Sequence, residues 1–381
     1  MRERAHVVIV GGGVIGTGIA YNLARLGMTD VVLVEQKRHS YGSTGRCGGG
    51  IRQQWSTEEN IKLAKASVEL FEEMNEELGV DIGFIQGGYL IPAFTEDEVA
   101  AYKKNMALQN SLGVPTRYLS NEEIKEIVPM LNTEKMMGAT FCPTDGHANP
   151  FAVTEGYAKN ARKMGVDIEL FTTVTGIDVV DGVVRRVRTD KGDIETDFVV
   201  NAAGPYSSLI GKMAGIDMPN RPYRHEILAT ERFRHFLDAM VISFHHGLYF
   251  SQTVRGEIVG GIGNPDEKPG YNLTSSLDFA VRMANALIEF MPQFRNVNVV
   301  RQWAGFYDVT PDAKPILGEV DEVHGFIQAN GYSGHGFMLA PIVTRLIAEL
   351  IVNGKTSMPI DSMNMRRFRD KNMVHEANVV G

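Results

Sequence analysis

The chain has 381 residues, 44% hydrophobic and 22% charged, enough for a large core and two domains. A net charge of −8 without a block of lysine or arginine argues against nucleic acid and anionic membrane as partners. No apolar run reaches bilayer-spanning length, residues 1–4 lead straight into an apolar strand, and Cys47 and Cys142 match no C-x-x-C or zinc pattern. No transmembrane segment and no metal are therefore expected, and the cytoplasm is the expected location.

Residues 6–10 are apolar, as suits a strand buried on both faces of a parallel sheet. Residues 11–16 read G-x-G-x-x-G, with glycines at 11, 13 and 16. A helix follows to about Leu26 with Gly27 at its stop, then a strand over 31–34 closed by Glu35. In this pattern Gly11 makes the tight turn, Gly13 admits a pyrophosphate to the backbone, and Gly16 lets helix and strand pack closely. The helix N-terminus at Val14 and Ile15 offers N–H groups and partial positive charge to the phosphates, and Glu35, with Gln36 beside it, offers an acceptor to a ribose. A glycine-rich turn in an ordinary sheet is the alternative, but strand, helix and acid in register point to dinucleotide binding. The motif alone does not separate FAD from NAD.

Residues 42–52 are mostly glycine and small hydroxyl types. They are either a surface linker or, by their place after a strand of a doubly wound sheet, a ligand loop. As a ligand loop, Ser43, Thr44, Arg46, Gly49, Gly50 and Ile51 belong at the cofactor. Arg52 is either a carboxylate fork or a solvated cation. Residues 56–59 (Ser-Thr-Glu-Glu) read as a capping box opening a helix with apolar positions from Ile61 to Leu78. A strand is expected over 82–94, and helices open at Thr95 and Ser120. Residues 145–150 form a turn before a helix over 151–164; His147 in that turn is read as structural. Strands follow at 166–170, 174–180 (with Val174 expected at the cofactor), 183–189 and 198–204. Ala202 and Gly204 end the last of these with small residues that let backbone pass beside a cofactor.

From Arg221 the pattern becomes antiparallel, with segments around His225, Tyr249, 256–261 and 302–308, and a helix over 273–290. His245 and His246 are adjacent on a strand and point to opposite faces, which makes a poor metal site. Residues 326–330 form a strand, 331–336 a second glycine turn (Gly331, Gly334, His335, Gly336), and 337–352 a helix beginning Phe337-Met338. This places another positive helix end where a ring carbonyl gains charge on reduction; packing glycines are the alternative.

Taken together, the fingerprint with Glu35 and residues 42–52, 145–150, 201–204, 303–318 and 331–341 resemble the D-amino-acid oxidase-like group of FAD enzymes. The likeness is greatest to the β subunits of archaeal dye-linked L-proline dehydrogenase and of sarcosine oxidase. The resemblance implies a Rossmann-like α/β FAD-binding domain (1–80, 145–220, 321–381) and an antiparallel-sheet substrate domain (81–144, 221–320), α+β overall. It places Arg52 near a substrate carboxylate, with His225, Tyr249 and Tyr307 beside the substrate. Where covalent relatives carry a cysteine this chain has Gly305, so non-covalent FAD is implied. No lysine stands near Ile258 to promote reaction with oxygen, which implies a dehydrogenase, and Met338 replaces a carboxylate-binding lysine.

The implied reaction is oxidation of the Cα–N bond of L-proline, sarcosine or a similar amino acid by hydride transfer to flavin N5. An oxygen-using sarcosine or glycine oxidase is the alternative. His225 is expected to adjust the amine proton because an imidazole changes charge near neutrality. An α subunit and an FMN at the subunit junction are the implied partners.

Overall fold

The apolar segments at the N-terminus pair as parallel neighbours, Val7 opposite Val31 and Val10 opposite Val34. In this computed structural model, which describes residues 2–379, they form the centre of a six-stranded sheet. Its order is Ile316–Glu319, Phe326–Asn330, Phe198–Asn201, Val7–Val10, Val31–Glu35, Asp167–Leu170. All neighbours are parallel except the first pair. Val7, Ile9, Val31 and Leu33 face a core shared with the helices Val14–Arg25 and Gly336–Asn353. Val8, Val10, Val32 and Val34 face a separate core completed by Val174, Ile177, Val184 and Ile194 of a three-stranded antiparallel sheet. Burial on both faces explains why these strands read as unbroken apolar runs.

The second sheet has eight strands, ordered Val299–Val309, Arg221–Arg232, Glu257–Ile262, Leu248–Gln252, Met240–Ser243, Tyr89–Ala93, Gly138–Cys142, Arg117–Leu119. Neighbours are antiparallel save for Met240–Ser243 beside Tyr89–Ala93. Here the faces alternate. Leu90, Leu228, Val241, Leu248 and Phe250 pack against the helix Leu277–Phe290. Tyr89, Ile227, Met240, Ile242 and Tyr249 line the opposite face.

Several expectations need correction. The strand over 82–94 shrinks to Tyr89–Ala93, and Gly192–Glu195 is a strand with one buried residue, too little for a readable alternation. Strand Ile316–Glu319 joins the six-stranded sheet, so the change of sheet comes before 316 and not after 320. The expected ends of the FAD-binding unit, residues 1 and 380–381, lie outside the described residues. Thr95 and Ser120 make full capping boxes, but Thr57 does not cap Glu58–Leu78. The hydroxyls of Ser56 and Thr57 donate instead to Glu376, 319 residues from Thr57. The expectation that no apolar segment reaches bilayer-spanning length is corrected by helix Gly336–Asn353, which does so by length and composition; it packs mostly buried against Val14–Arg25 and Glu58–Leu78.

Candidate active site

A cavity of about 380 Å³ lies where the carboxyl ends of the six-stranded sheet, at Val10 and Glu35, meet the face of the eight-stranded sheet at His225 and Tyr249. Its first half is made largely of main chain. Gly11 sits at φ +115°, where a Cβ would collide with the Ala202 carbonyl. A Cβ on Gly16 would collide with the Gly11 carbonyl, so the turn closes only with glycine at both places. The helix Val14–Arg25 starts without a side-chain cap from Gly13 and without an acid in its first turn; the Val14 N–H donates to Thr44 Oγ1 at 3.1 Å. Its N-terminus thus presents positive charge to the cavity. The Glu35 carboxylate accepts from the N–H groups of Gly12 and Lys37, both at 2.7 Å, and burial pushes its carboxyl above the ordinary range.

Residues 42–50 are not a free linker. They bridge the two sheets: Ser43 Oγ donates to the Phe306 carbonyl at 2.8 Å, Arg46 Nη1 to Ala304 at 2.8 Å, and Trp303 Nε1 to the Arg46 carbonyl at 3.0 Å. The second glycine turn is shaped by side chains. Asp308 accepts from the Gly331 N–H at 2.7 Å, and burial pushes its carboxyl up to about 7 against the pull of Asn220 and Gly331. Gly334, at φ +93°, lies under the Tyr307 ring, 2.8 Å from where its Cβ would stand. Helix Gly336–Asn353 then starts with no side-chain cap and no acid in its first turn.

The other half is built of side chains on alternate residues of the eight-stranded sheet. His225 stacks on Tyr307 with centroids 4.4 Å apart and on Tyr249 at 5.5 Å. Gly261 opposes Tyr249 and Ile227 across the ladder; a Cβ there would lie 2.7 Å from His225 Nε2 and 2.9 Å from the Tyr249 hydroxyl. Burial, with the Arg282 cation adding, pushes the imidazole down to about 4. This overturns the expected reason for choosing His225: it stays neutral through the physiological range and does not switch charge near pH 7. Its Nε2 is buried without a hydrogen-bond partner. The Tyr249 phenol is held well above its ordinary value by burial and by the Tyr307 hydroxyl, so both tyrosines are neutral donors and acceptors.

Arg52 is 2% exposed. Nη1 donates to the Gln54 carbonyl at 2.6 Å, Nη2 to the Asn378 carbonyl at 2.7 Å, the guanidinium carbon lies 4.0 Å from the centre of the Trp55 ring, and Nε has no partner. No carboxylate lies within ion-pair distance among the described residues. Burial lowers its pKa, with Tyr89, Glu376 and Asp145 acting the other way. A buried cation without a counter-ion is costly, and it lines this cavity.

All four expected substrate residues line the cavity, as do all the expected cofactor residues except Gly16, Ile51 and Gly331. Gly16 packs on Gly11, Ile51 is fully buried in the core, and Gly331 packs on Thr310 and Ile316. Sequence reasoning missed Tyr89, Met240, Ile242, Asp308 and Tyr332. The first three lie on strands whose residues are nearly all apolar and buried on both faces, so no alternation marked which of them face the cavity. Asp308 and Tyr332 carried no signal either, because their place depends on how the second turn meets the neighbouring sheet. The lining contains no lysine, and Met338 is part of it.

Two uncapped helix N-termini facing one cavity, the glycine turn that only main chain fills, and the acid at the end of the second strand fit a flavin dinucleotide. The comparisons agree. A crystal structure of L-proline dehydrogenase from P. horikoshii matches with TM-score 0.95 and 39% identity, covering 98% of this chain and 100% of that one. Sarcosine oxidase subunit beta from Arthrobacter sp is 30% identical, over 98% of this chain and 94% of its own. The human mitochondrial sarcosine dehydrogenase is 31% identical over 96% of this chain but only 41% of its own length. The chain thus spans less than half the length of the mitochondrial relatives it matches. Residues 6–350 match the family described as FAD dependent oxidoreductase, and the chain belongs to that family.

Proposed function

We propose that this chain is the catalytic subunit of a dehydrogenase that oxidises the Cα–N bond of a secondary α-amino acid, L-proline, sarcosine or a close relative. One observation carries the reading: a buried arginine without a counter-ion and a buried neutral imidazole with an unpaired Nε2 line the same cavity. An amino acid supplies both missing partners. Its carboxylate pairs with Arg52 through the unpaired Nε edge, and its amine N–H donates to His225 Nε2. Tyr249 and Tyr307 hold the imidazole between them, while Met240, Ile242 and Tyr89 give walls for an aliphatic body.

The chemistry that FAD supplies when bound is two-electron acceptance of the Cα hydrogen as hydride, which leaves an imine. Main chain at Gly11, Gly13 and residues 334–336 and the Glu35 carboxylate would hold it, without a covalent link. The protein's task is to present the amine without its extra proton. For an amine pKa near ~10 this costs about 4 kcal/mol at pH 7, and a dry site carrying the Arg52 cation lowers that cost. Neutral His225 accepts a hydrogen bond and adds no positive charge, so it helps orient the lone pair toward the forming C=N bond. The absence of lysine from the lining supports a dehydrogenase over an oxygen-using oxidase. The name of the similar Arthrobacter chain, a subunit, supports assembly with a partner, and an FMN at that junction belongs to the same reading.

The test is anaerobic addition of L-proline, sarcosine and glycine to the purified yellow protein. Bleaching of the flavin band by a secondary amino acid is expected. Peroxide formed in air at the rate of turnover points to the oxidase; a flavin that stays yellow with every amine overturns the reading. Acid precipitation should release all the FAD, and FMN should be found only in a co-purified complex.

A further inference from the structure

Glu376 has no part in that mechanism, yet it is fully buried and accepts from six donors. Its two oxygens accept from the N–H and hydroxyl of Ser56, the N–H and hydroxyl of Thr57, Asn60 Nδ2 at 3.1 Å, and the Asn378 N–H at 3.0 Å. No cation lies within ion-pair distance of it among the described residues. A buried carboxylate held this way gains little stability over an apolar side chain of similar size. What it achieves is geometric. It ties residues 56–60 to 376–378, and this second segment supplies the Asn378 carbonyl to Arg52 Nη2 at 2.7 Å. Asn378 Nδ2 also reaches, at 3.2 Å, the Gln54 carbonyl that accepts from Arg52 Nη1. Both terminal nitrogens of the guanidinium are thereby aimed, and the Nε edge is left over.

We propose that residues 376–378 are the brace that orients Arg52, and that Glu376 is a positioning residue for carboxylate recognition. This rests on the reading of Arg52 as the carboxylate site. Glu376 itself does not line the cavity, so its effect reaches the ligand only through the arginine. A free guanidinium would lose rotamer entropy on each binding event; a braced one has lost it on folding.

The experiment uses the FAD-loaded protein and two ligands of one shape that cannot be oxidised at nitrogen: cyclopentanecarboxylate and its neutral amide. Calorimetry gives the affinity of each. In the native protein the carboxylate should bind the more tightly. In Glu376→Ala that preference should fall by about tenfold, with amide affinity and FAD content unchanged. Glu376→Gln, which keeps one acceptor oxygen, should restore part of it. Where Glu376→Ala does not fold, Asn378→Ala decides, with a smaller fall expected. A preference unchanged in the folded variants, or equal weakening of both ligands, overturns the brace. If the native protein shows no preference for the carboxylate, it is the Arg52 reading that fails, and the brace with it.

Discussion

The two halves of the cavity are made of different material. On the six-stranded side the lining is largely main chain and glycine, and the first turn takes its shape chiefly from contacts within one strand–turn–helix unit, such as Gly16 against Gly11. On the eight-stranded side it is arginine, histidine and tyrosine, brought together from segments as distant as Arg52 and Tyr307. The first half suits a ligand whose recognition is generic, since phosphates ask only for N–H groups and a dipole. The second suits a ligand with one charge and one amine to be placed, which only side chains at fixed positions achieve.

If that contrast is right, damage to the first half should abolish cofactor retention while damage to the second should spare it. The largest effect is expected from Gly16→Val: its Cβ meets backbone that cannot move aside, and the purified chain should carry no FAD, read as flavin absorbance per protein. A full complement of flavin in that variant would break the comparison. Arg52→Met comes next. FAD content should remain, while L-proline affinity drops on the order of a hundredfold, about 3 kcal/mol, measured by anaerobic flavin titration. Arg52→Lys should recover little, because an ammonium lacks the planar fork.

His225→Phe sharpens the second half. It removes an unpaired buried nitrogen, so stability at pH 7 should hold or rise while kcat/KM falls about ten- to hundredfold. The same variant has a pH signature. The folded imidazole sits at about 4, below its ordinary 6.5, so between these values the unfolded state binds more protons and native stability falls as pH falls. His225→Phe should flatten this loss by about 3 kcal/mol between pH 6.5 and 4, read from denaturant midpoints; parallel curves for the two proteins would contradict it. The smallest effect belongs to Gly334→Ala. A Cβ at φ +93° under the Tyr307 ring costs about 1–2 kcal/mol and should weaken FAD retention, visible as a lowered Tm and a reduced flavin content per protein.

The same division marks what was legible. The capping boxes at Thr95 and Ser120 were readable because every partner lies within four residues. Ser56 to Glu59 offered the same letters and misled, because Glu376 from the far end of the chain takes the hydroxyls of Ser56 and Thr57. Resemblance pointed to His225, and it does line the cavity, but its protonation was not readable, since the burial that sets it is a property of the packed sheet.

By itself the sequence determined the glycine turn, the two-face apolar strands and the acid at Glu35, which rest on steric and hydrogen-bonding demands met within a few residues, while the family-level chemistry was legible only as a resemblance spread along the chain. Tertiary structure alone decided that Arg52 is a buried cation without a counter-ion, that His225 stays neutral, that Asp308 shapes the second turn, and that residues 376–378 return to hold the arginine. These depend on which distant segments share a low-dielectric space, and neither local propensity nor spacing records that.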